Sequence, residues 1–111
     1  MIYHMLPKPR WQGQSHTMAY MGDTLESEGF IHCTGELDRL IWVANHFYRS
    51  IMDEFVILCI DESRVDADIR WEEADGHRFP HIYGPLNLDA IIKWVDFPRD
   101  ANGVFSSPMS L

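Results

Sequence analysis

Apolar residues recur at spacings of three and four between residues 35 and 51, and this is the strongest helical pattern in the chain. The recurring positions are Leu37, Leu40, Ile41, Ala44, Phe47, Tyr48 and Ile51. Such spacing lines one face of an α-helix with apolar side chains. Thr34 is placed to cap this helix, and Glu36 follows in the first turn, where a carboxylate interacts favourably with the helix dipole. The pattern predicts one main helix over residues 35–51.

Short apolar or alternating runs predict strands on both sides of this helix. Phe55–Ile60 is an unbroken apolar run, which is typical of a central strand covered on both faces. The other predicted strands are Ile2–Leu6, Phe30–Cys33, Ile69–Glu72, Phe79–Gly84 and Ile91–Phe97. Asp75-Gly76 is expected to form a turn. This order indicates an α+β fold with small antiparallel or mixed sheets rather than a βαβ series.

Two stretches have no clear periodicity. Residues 7–23 contain two prolines and two glycines, which favours a short helix with flanking loops or a binding loop. From Pro98 onward the chain contains two prolines, one glycine and three serines. We therefore expect the tail to lie loosely on the surface.

Composition is that of an ordinary globular protein, with 46% hydrophobic and 23% charged residues in 111. One domain over residues 1–111 is expected, since domains commonly have ~100–150 residues. No apolar stretch approaches the ~20 residues of a membrane span, and no signal sequence is recognised, so we expect a cytoplasmic protein that does not bind membranes. The net charge of −8 excludes sequence-independent binding to duplex nucleic acid.

Three of the six histidines fall within predicted strands, namely His4, His32 and His81. A buried imidazole is costly unless both nitrogens find partners. The pattern therefore favours a shared cleft, which Tyr83 would also face because it lies two residues after His81. Two alternatives remain: each histidine could simply stabilise the fold, or the three could bind zinc with an open fourth position. The wide spacing of the three argues against a metal.

Cys33 and Cys59 lie in apolar runs without a Cys-x-x-Cys motif, which predicts buried, reduced thiols. Charge is unevenly distributed, because residues 1–20 contain Lys8 and Arg10 but no acid. An anionic small molecule could bind at this basic corner, although a solvated basic turn is the simpler interpretation. Arg70 and Glu72 would share a strand face, where they could form an ion pair or reach a polar cleft.

Several motifs together resemble the family known as domain of unknown function 952, and they run in the family's order over nearly the whole chain. They are Ile2-Tyr3-His4, Trp11, Tyr20, Gly29-Phe30-Ile31-His32-Cys33-Thr34, Ala44-Asn45, Trp71-Glu72, Phe79-Pro80-His81-Ile82-Tyr83-Gly84-Pro85-Leu86 and Asp89-Ala90. Thr34 stands where the family usually has Ser, which keeps the hydroxyl. The resemblance implies a reduced ADP-ribosyltransferase-like fold, with two small sheets around a cleft and His4 near an NAD ribose.

This resemblance implies an enzyme or binder that acts on an NAD-like, ADP-ribose-like or phosphorylated small molecule. His4 and His32 would orient ribose or phosphate oxygens, while His81 and Tyr83 would supply proton transfer and a hydrogen bond. Further ligand-binding candidates are Arg10 for phosphate, Trp11 and Tyr20 for stacking on a base, Thr34, Arg70 and Glu72. No metal cofactor is expected, and the oligomeric state is left open.

The alternative is a non-catalytic small-molecule-binding or protein-interaction module. In that case the histidines are structural, and Met18, Met21 and Trp42 contribute to a partner surface.

Overall fold

Two three-stranded antiparallel sheets form the fold, with strand orders β1-β3-β6 and β2-β5-β4. The computed structural model describes residues 1–109 and Leu111. Its strands and α-helices, in chain order, are β1 Ile2–Pro7, α1 Lys8–Gln12, α2 Leu25–Glu28, β2 Ile31–His32, α3 Leu37–Val43, β3 Phe55–Ile60, β4 Asp68–Ala74, β5 His77–Tyr83 and β6 Ile91–Phe97. The predicted α+β class and the antiparallel character of the sheets are confirmed.

The first sheet has β3 at its centre, and all six residues of β3 are buried. One face of this strand, with Val56, Leu58 and Ile60, packs in a core that also contains residues of the second sheet. The other face, with Ile57 and Cys59, packs in a second core against α3 and the C-terminal tail. The unbroken apolar run therefore predicted the central strand correctly, since both faces of β3 are covered.

The second sheet joins the first through a backbone bridge between Tyr3 of β1 and Thr34. The amide of each residue donates to the carbonyl of the other, at 2.8 and 2.7 Å. At the far end of this sheet, Asp75 and Gly76 form the predicted turn between β4 and β5. Their φ angles of 53° and 79° are both positive, as the turns that suit two-residue hairpins require.

The main helix is shorter than predicted. α3 begins at Leu37, and residues 44–48 continue it as a single π-helical turn, so residues 35, 36 and 49–51 lie outside it. Thr34 does not cap the helix, because its backbone pairs with Tyr3 and Glu36, which has extended dihedral angles (φ −133°, ψ 141°), is the residue that directly precedes α3. Strand pairing therefore delays the start of the helix beyond its sequence pattern.

The tail is anchored, which corrects the expectation of a loose segment. Phe105 is 2% exposed and lies against the rings of Phe55 and Phe97 at 5.6 and 4.7 Å. Asn45 holds Phe105 in place, because its side-chain oxygen accepts from the Phe105 amide and its side-chain nitrogen donates to the Phe105 carbonyl. The guanidinium of Arg99 lies 4.2 Å from the centre of the same ring. The composition of the tail did not indicate that Phe105 would be deeply buried.

In the part of the chain that the structure describes, no helix is both long enough and apolar enough to cross a bilayer.

Candidate functional site

A cavity of about 620 Å³ opens beside β1, between the C-terminal half of α3 with its π-helical turn and the tip of the β4–β5 hairpin. We call this cavity the central cleft. Its walls are mainly apolar and aromatic, and include Tyr3, Phe47, Tyr48, Phe55 and Phe79. An apolar cavity of this size with a few polar groups is the usual form of a small-molecule site.

The histidines singled out in the sequence, His4, His32 and His81, all line the central cleft. They come from three different strands. His32 and His81 are direct partners in the β2–β5 pairing, and their ring centres are 5.2 Å apart. The structure therefore brings these three residues to one cavity, while their chemical roles stay predictions.

His4 is held by hydrogen bonds on both ring nitrogens. Nδ1 lies 2.5 Å from the carbonyl oxygen of His32, which can only accept, so Nδ1 carries the proton. Nε2 lies 2.7 Å from the hydroxyl of Tyr20, which donates to it in the neutral tautomer. Burial lowers the pKa of His4 to about 4, although the bond to the His32 carbonyl opposes this shift. His4 is therefore a neutral, fixed ring that ties two strands and Tyr20 together.

His81 is oriented by a carboxylate. Its Nδ1 donates to Glu72 Oε1 at 2.8 Å, and the hydroxyl of Tyr83 donates to the same oxygen. These two hydrogen bonds, the one from Tyr83 first, lower the pKa of Glu72 and keep it ionised. With Nδ1 holding the proton, Nε2 of a neutral His81 is a free base, and no hydrogen bond to it is found within the described residues. The prediction that Tyr83 shares a face with His81 is confirmed.

Arg70 does not pair with Glu72, in contrast to one of the interpretations above. Its Nε donates to Asp68 Oδ2 at 3.0 Å, and its guanidinium lies 4.4 Å from the centre of the Tyr83 ring. Glu72 is instead taken up by His81 and Tyr83. Arg70, Glu72 and Tyr83 do not line the central cleft. Glu72 and Tyr83 can therefore influence a ligand in the cleft only through His81.

Phe30 and Glu28, which the sequence did not single out, complete the surroundings of His32 and His81. The ring of Phe30 stacks on His81, with centres 4.2 Å apart and planes at 21°. Glu28 Oε2 lies 2.7 Å from Nε2 of His32, so this histidine also has a carboxylate partner. The spacing of Phe30 and His32, two residues apart on an extended segment, was a signal that they share a face.

Three other predicted ligand-binding residues lie away from the central cleft. Arg10 is exposed in α1, and Trp11 lines a second cavity of about 500 Å³ with Ile92 and Trp94 of β6. Tyr20 is 2% exposed and bonded to His4, so it cannot offer a ring face to a base. Neither side chain lines the central cleft, because Tyr20 is part of the core and Trp11 lies at the second cavity. Stacking of Trp11 on a base stays a prediction.

Thr34 does line the central cleft and is 4% exposed. Cys33, another lining residue, and Cys59 are buried free thiols as expected, and burial raises the pKa of both. No grouping of three or more His, Cys, Asp and Glu residues suited to a metal ion is found among residues 1–109 and Leu111. Both nitrogens of His4 are already used, which removes it as a zinc ligand in this arrangement.

Solved structures and a family model resemble this chain, whereas no curated protein matches it. The crystal structure of protein CC0527 from Caulobacter crescentus aligns with a TM-score of 0.78 and 26% identity, over 95% of this chain and 92% of that one. The solution NMR structure of CC0527 gives a TM-score of 0.74 and 27% identity, over 93% and 89%. Both are structural genomics targets. The model described as "Protein of unknown function (DUF952)" matches residues 5–94, and the chain therefore belongs to the DUF952 family.

Proposed function

We propose that the central cleft binds a small organic molecule and that His81 transfers a proton to or from it. The observation that carries this proposal is the geometry of one dyad: Nδ1 of His81 is held by Glu72, while the ring lines the cleft with Nε2 unused among the described residues. A carboxylate that fixes the tautomer and supports the imidazolium is the usual way to prepare a histidine for general acid–base chemistry.

His32 and Thr34 would orient the ligand beside this dyad. The His32 ring is 5.2 Å from that of His81, and Glu28 fixes its orientation. His4 contributes indirectly, since it holds the carbonyl of His32 and hence the edge of β2. In this proposal His4 is a positioning residue, whereas His32 and His81 contact the ligand.

We further propose that the ligand is NAD-like and that the fold is related to that of the ADP-ribosyltransferases. Two small sheets joined beside a cleft, with the Tyr3-His4 pair on its first strand, support it. No Lys or Arg lines the cleft among the described residues, so a pyrophosphate would find no cation there. The nicotinamide riboside end of an NAD-like molecule therefore fits the cleft better than its phosphates do.

Thermal unfolding with and without ligand tests the proposal. NAD, nicotinamide riboside and ADP-ribose are added to the wild-type protein, to His81→Gln and to His77→Gln, a matched control at an exposed histidine of the same strand. A ligand at 100-fold its Kd stabilises the folded state by about 2.7 kcal/mol. We expect nicotinamide riboside to raise the Tm of the wild type and of His77→Gln, and to raise that of His81→Gln much less.

Two results would contradict the proposal. If none of the three compounds moves the Tm of the wild type, the NAD-like ligand is wrong. If a compound stabilises His81→Gln as much as the wild type, His81 has no part in binding it. The Tm of each variant without ligand shows whether the substitution has disturbed the fold itself.

A non-catalytic interaction module is the second candidate, and an exposed aromatic patch favours it. Trp42 is 41% exposed and stacks on His46 with ring centres 4.7 Å apart and planes at 10°, while Phe47 beside them is 53% exposed. Exposed aromatic groups of this kind mark contact surfaces. This candidate predicts no ligand response in the thermal experiment.

A further inference from the structure

We propose that the central cleft selects cationic ligands: small molecules with an aromatic or apolar body and a positively charged amine or pyridinium group. This inference rests on the proposed small-molecule function of the cleft and names its ligand class. It depends on the charges and the aromatic groups that line the cavity.

The ionised side chains at the cleft are all carboxylates. Asp23 and Glu28 line it from the segment that contains α2, Asp75 lines it from the β4–β5 turn, and each of the three residues is exposed. Among the described lining residues there is no Lys or Arg to offset them. A cleft with charge of one sign and apolar walls concentrates ions of the opposite sign, and the chain's net charge of −8 acts in the same direction.

The walls suit the rest of such a ligand. Aromatic residues from β1, β3, β5 and the π-helical turn line the cavity, among them Tyr3, Phe47, Tyr48 and Phe55. The faces of aromatic rings attract cations, and more strongly where water is excluded. The aromatic or apolar body of the ligand would also displace water from these side chains, and this burial of apolar surface favours binding. Carboxylates at the rim and rings inside are therefore complementary to one cationic amphiphile.

The field of the rim carboxylates reaches the interior. The pKa of Tyr48 is raised by burial first, and then by the negative charges of Asp23 and Glu28. A negative potential that disfavours a tyrosinate at this wall would favour a ligand cation at the same place. Glu28 also lies 2.7 Å from His32, so protonation of that histidine would partly offset its charge.

Three probes of nearly equal size and shape test the selectivity: 2-phenylethylamine, 2-phenylethanol and phenylacetate. They carry positive, zero and negative charge at neutral pH. Affinity is measured by NMR titration of the wild-type protein, following the signals of His81 and Tyr48. One charge pair at about 4 Å in water changes affinity roughly five-fold, so three partly screened carboxylates should favour the amine over the alcohol by about ten-fold. The acid should bind most weakly, and added salt should weaken only the amine.

Asp23→Asn and Asp75→Asn are the variants, and Asp66→Asn is the matched control. All three aspartates are exposed, so each substitution removes one charge without opening a core, but Asp66 does not line the cleft. Asparagine tolerates the φ of 53° at residue 75. We expect each cleft variant to bind the amine about two-fold more weakly and the alcohol unchanged, and Asp66→Asn to match the wild type.

The outcomes separate the inference from the function beneath it. If the alcohol or the acid binds as tightly as the amine, with signals moving at His81, the cationic class is overturned and the small-molecule site stands. An equal loss of amine affinity in Asp66→Asn and the cleft variants would also overturn it, since overall charge would then be the cause. If none of the three probes binds, both the inference and the proposed small-molecule site are overturned.

Discussion

At the residue scale, the buried side chain of His4 connects the two sheets. His4 is 7% exposed and bonds the carbonyl of His32 and the hydroxyl of Tyr20. Burial disfavours the charged form of an imidazole in this position and lowers its pKa, and the neutral ring accepts from Tyr20 at Nε2. The same ring that reads as a catalytic candidate in the sequence is therefore a structural link in the fold, and this link depends on pH.

Acid should destabilise the protein through His4. Its pKa is lowered from 6.5 to about 4, so between these values the unfolded chain binds a proton that the folded chain does not. Stability therefore falls as pH decreases from about 6.5 to about 4, by about 3 kcal/mol in all if the shift is fully expressed. Urea unfolding of the wild type across this range should show the loss, and His4→Gln should show a smaller dependence on pH.

His16→Gln, at an exposed loop position, is the control and should keep the wild-type dependence. Because His4→Gln also breaks two hydrogen bonds and could fold poorly, an NMR titration of the wild-type His4 ring provides a second measurement. Titration of that ring near pH 6.5 would contradict the assignment.

At the element scale, the register of the β4–β5 hairpin brings His81 to the carboxylate of Glu72. Glu72 on β4 is diagonal to His81, because the register pairs Glu72 with Phe79 and Arg70 with His81. Tyr83 lies two residues further along the same face of β5, and its long side chain reaches the same carboxylate. Diagonal neighbours on one face of a sheet lie within reach of long side chains. Strand register thus delivers two donors to one carboxylate oxygen, and a slip of one residue would turn His81 and Tyr83 to the other face.

Tyr83→Phe should raise the pKa of Glu72 towards its ordinary value. The Tyr83 hydroxyl is the largest cause of the lowered pKa, and the bond from His81 comes second. An NMR titration that follows the side-chain carboxyl carbon of Glu72 measures the change. Tyr48→Phe, in the cleft but without a contact to Glu72 among those found, should leave this pKa in place. An unchanged pKa in Tyr83→Phe would mean that His81 alone holds the carboxylate.

Both sheets share one core at the scale of the whole molecule. Ile2 and Leu6 of the first sheet belong to the same buried cluster as Ile31 and Ile82 of the second. The Tyr3–Thr34 bridge crosses the same junction. At Gly35, next to this bridge, an added Cβ would lie 2.7 Å from the Trp71 ring, so the junction also brings β4 close to the chain after β2.

The shared core predicts that the two sheets unfold together. In this shared core each sheet buries one apolar face against the other sheet, so loss of one sheet should expose that face of the other. Far-UV circular dichroism and tryptophan fluorescence should therefore give the same urea midpoint and the same m value. Trp94 reports on the first sheet and Trp71 on the second. Two separated transitions would contradict this expectation and indicate two independent units.

Local patterns predicted some strands closely and others less well. Phe55–Ile60 and Ile91–Phe97 have the predicted bounds. The bounds of these two strands depend on the hydrophobicity of side chains only a few residues apart in the sequence. Predictions that depended on a distant partner were less accurate: Thr34 pairs with Tyr3 and does not cap α3, and Phe105 enters the core from a tail that has a loop-like composition.

The sequence by itself determined the α+β class, the central strand and the burial of the thiols, and it selected His4, His32 and His81 as candidates, since each depends on local composition and spacing. Only the tertiary structure decided which partners those histidines have. It used both nitrogens of His4 within the fold, gave His81 the carboxylate of Glu72, and moved Trp11 to another cavity. The physical reason is that hydrogen-bond partners and charges act over a few ångströms in space, and strand pairing decides which distant residues come that close.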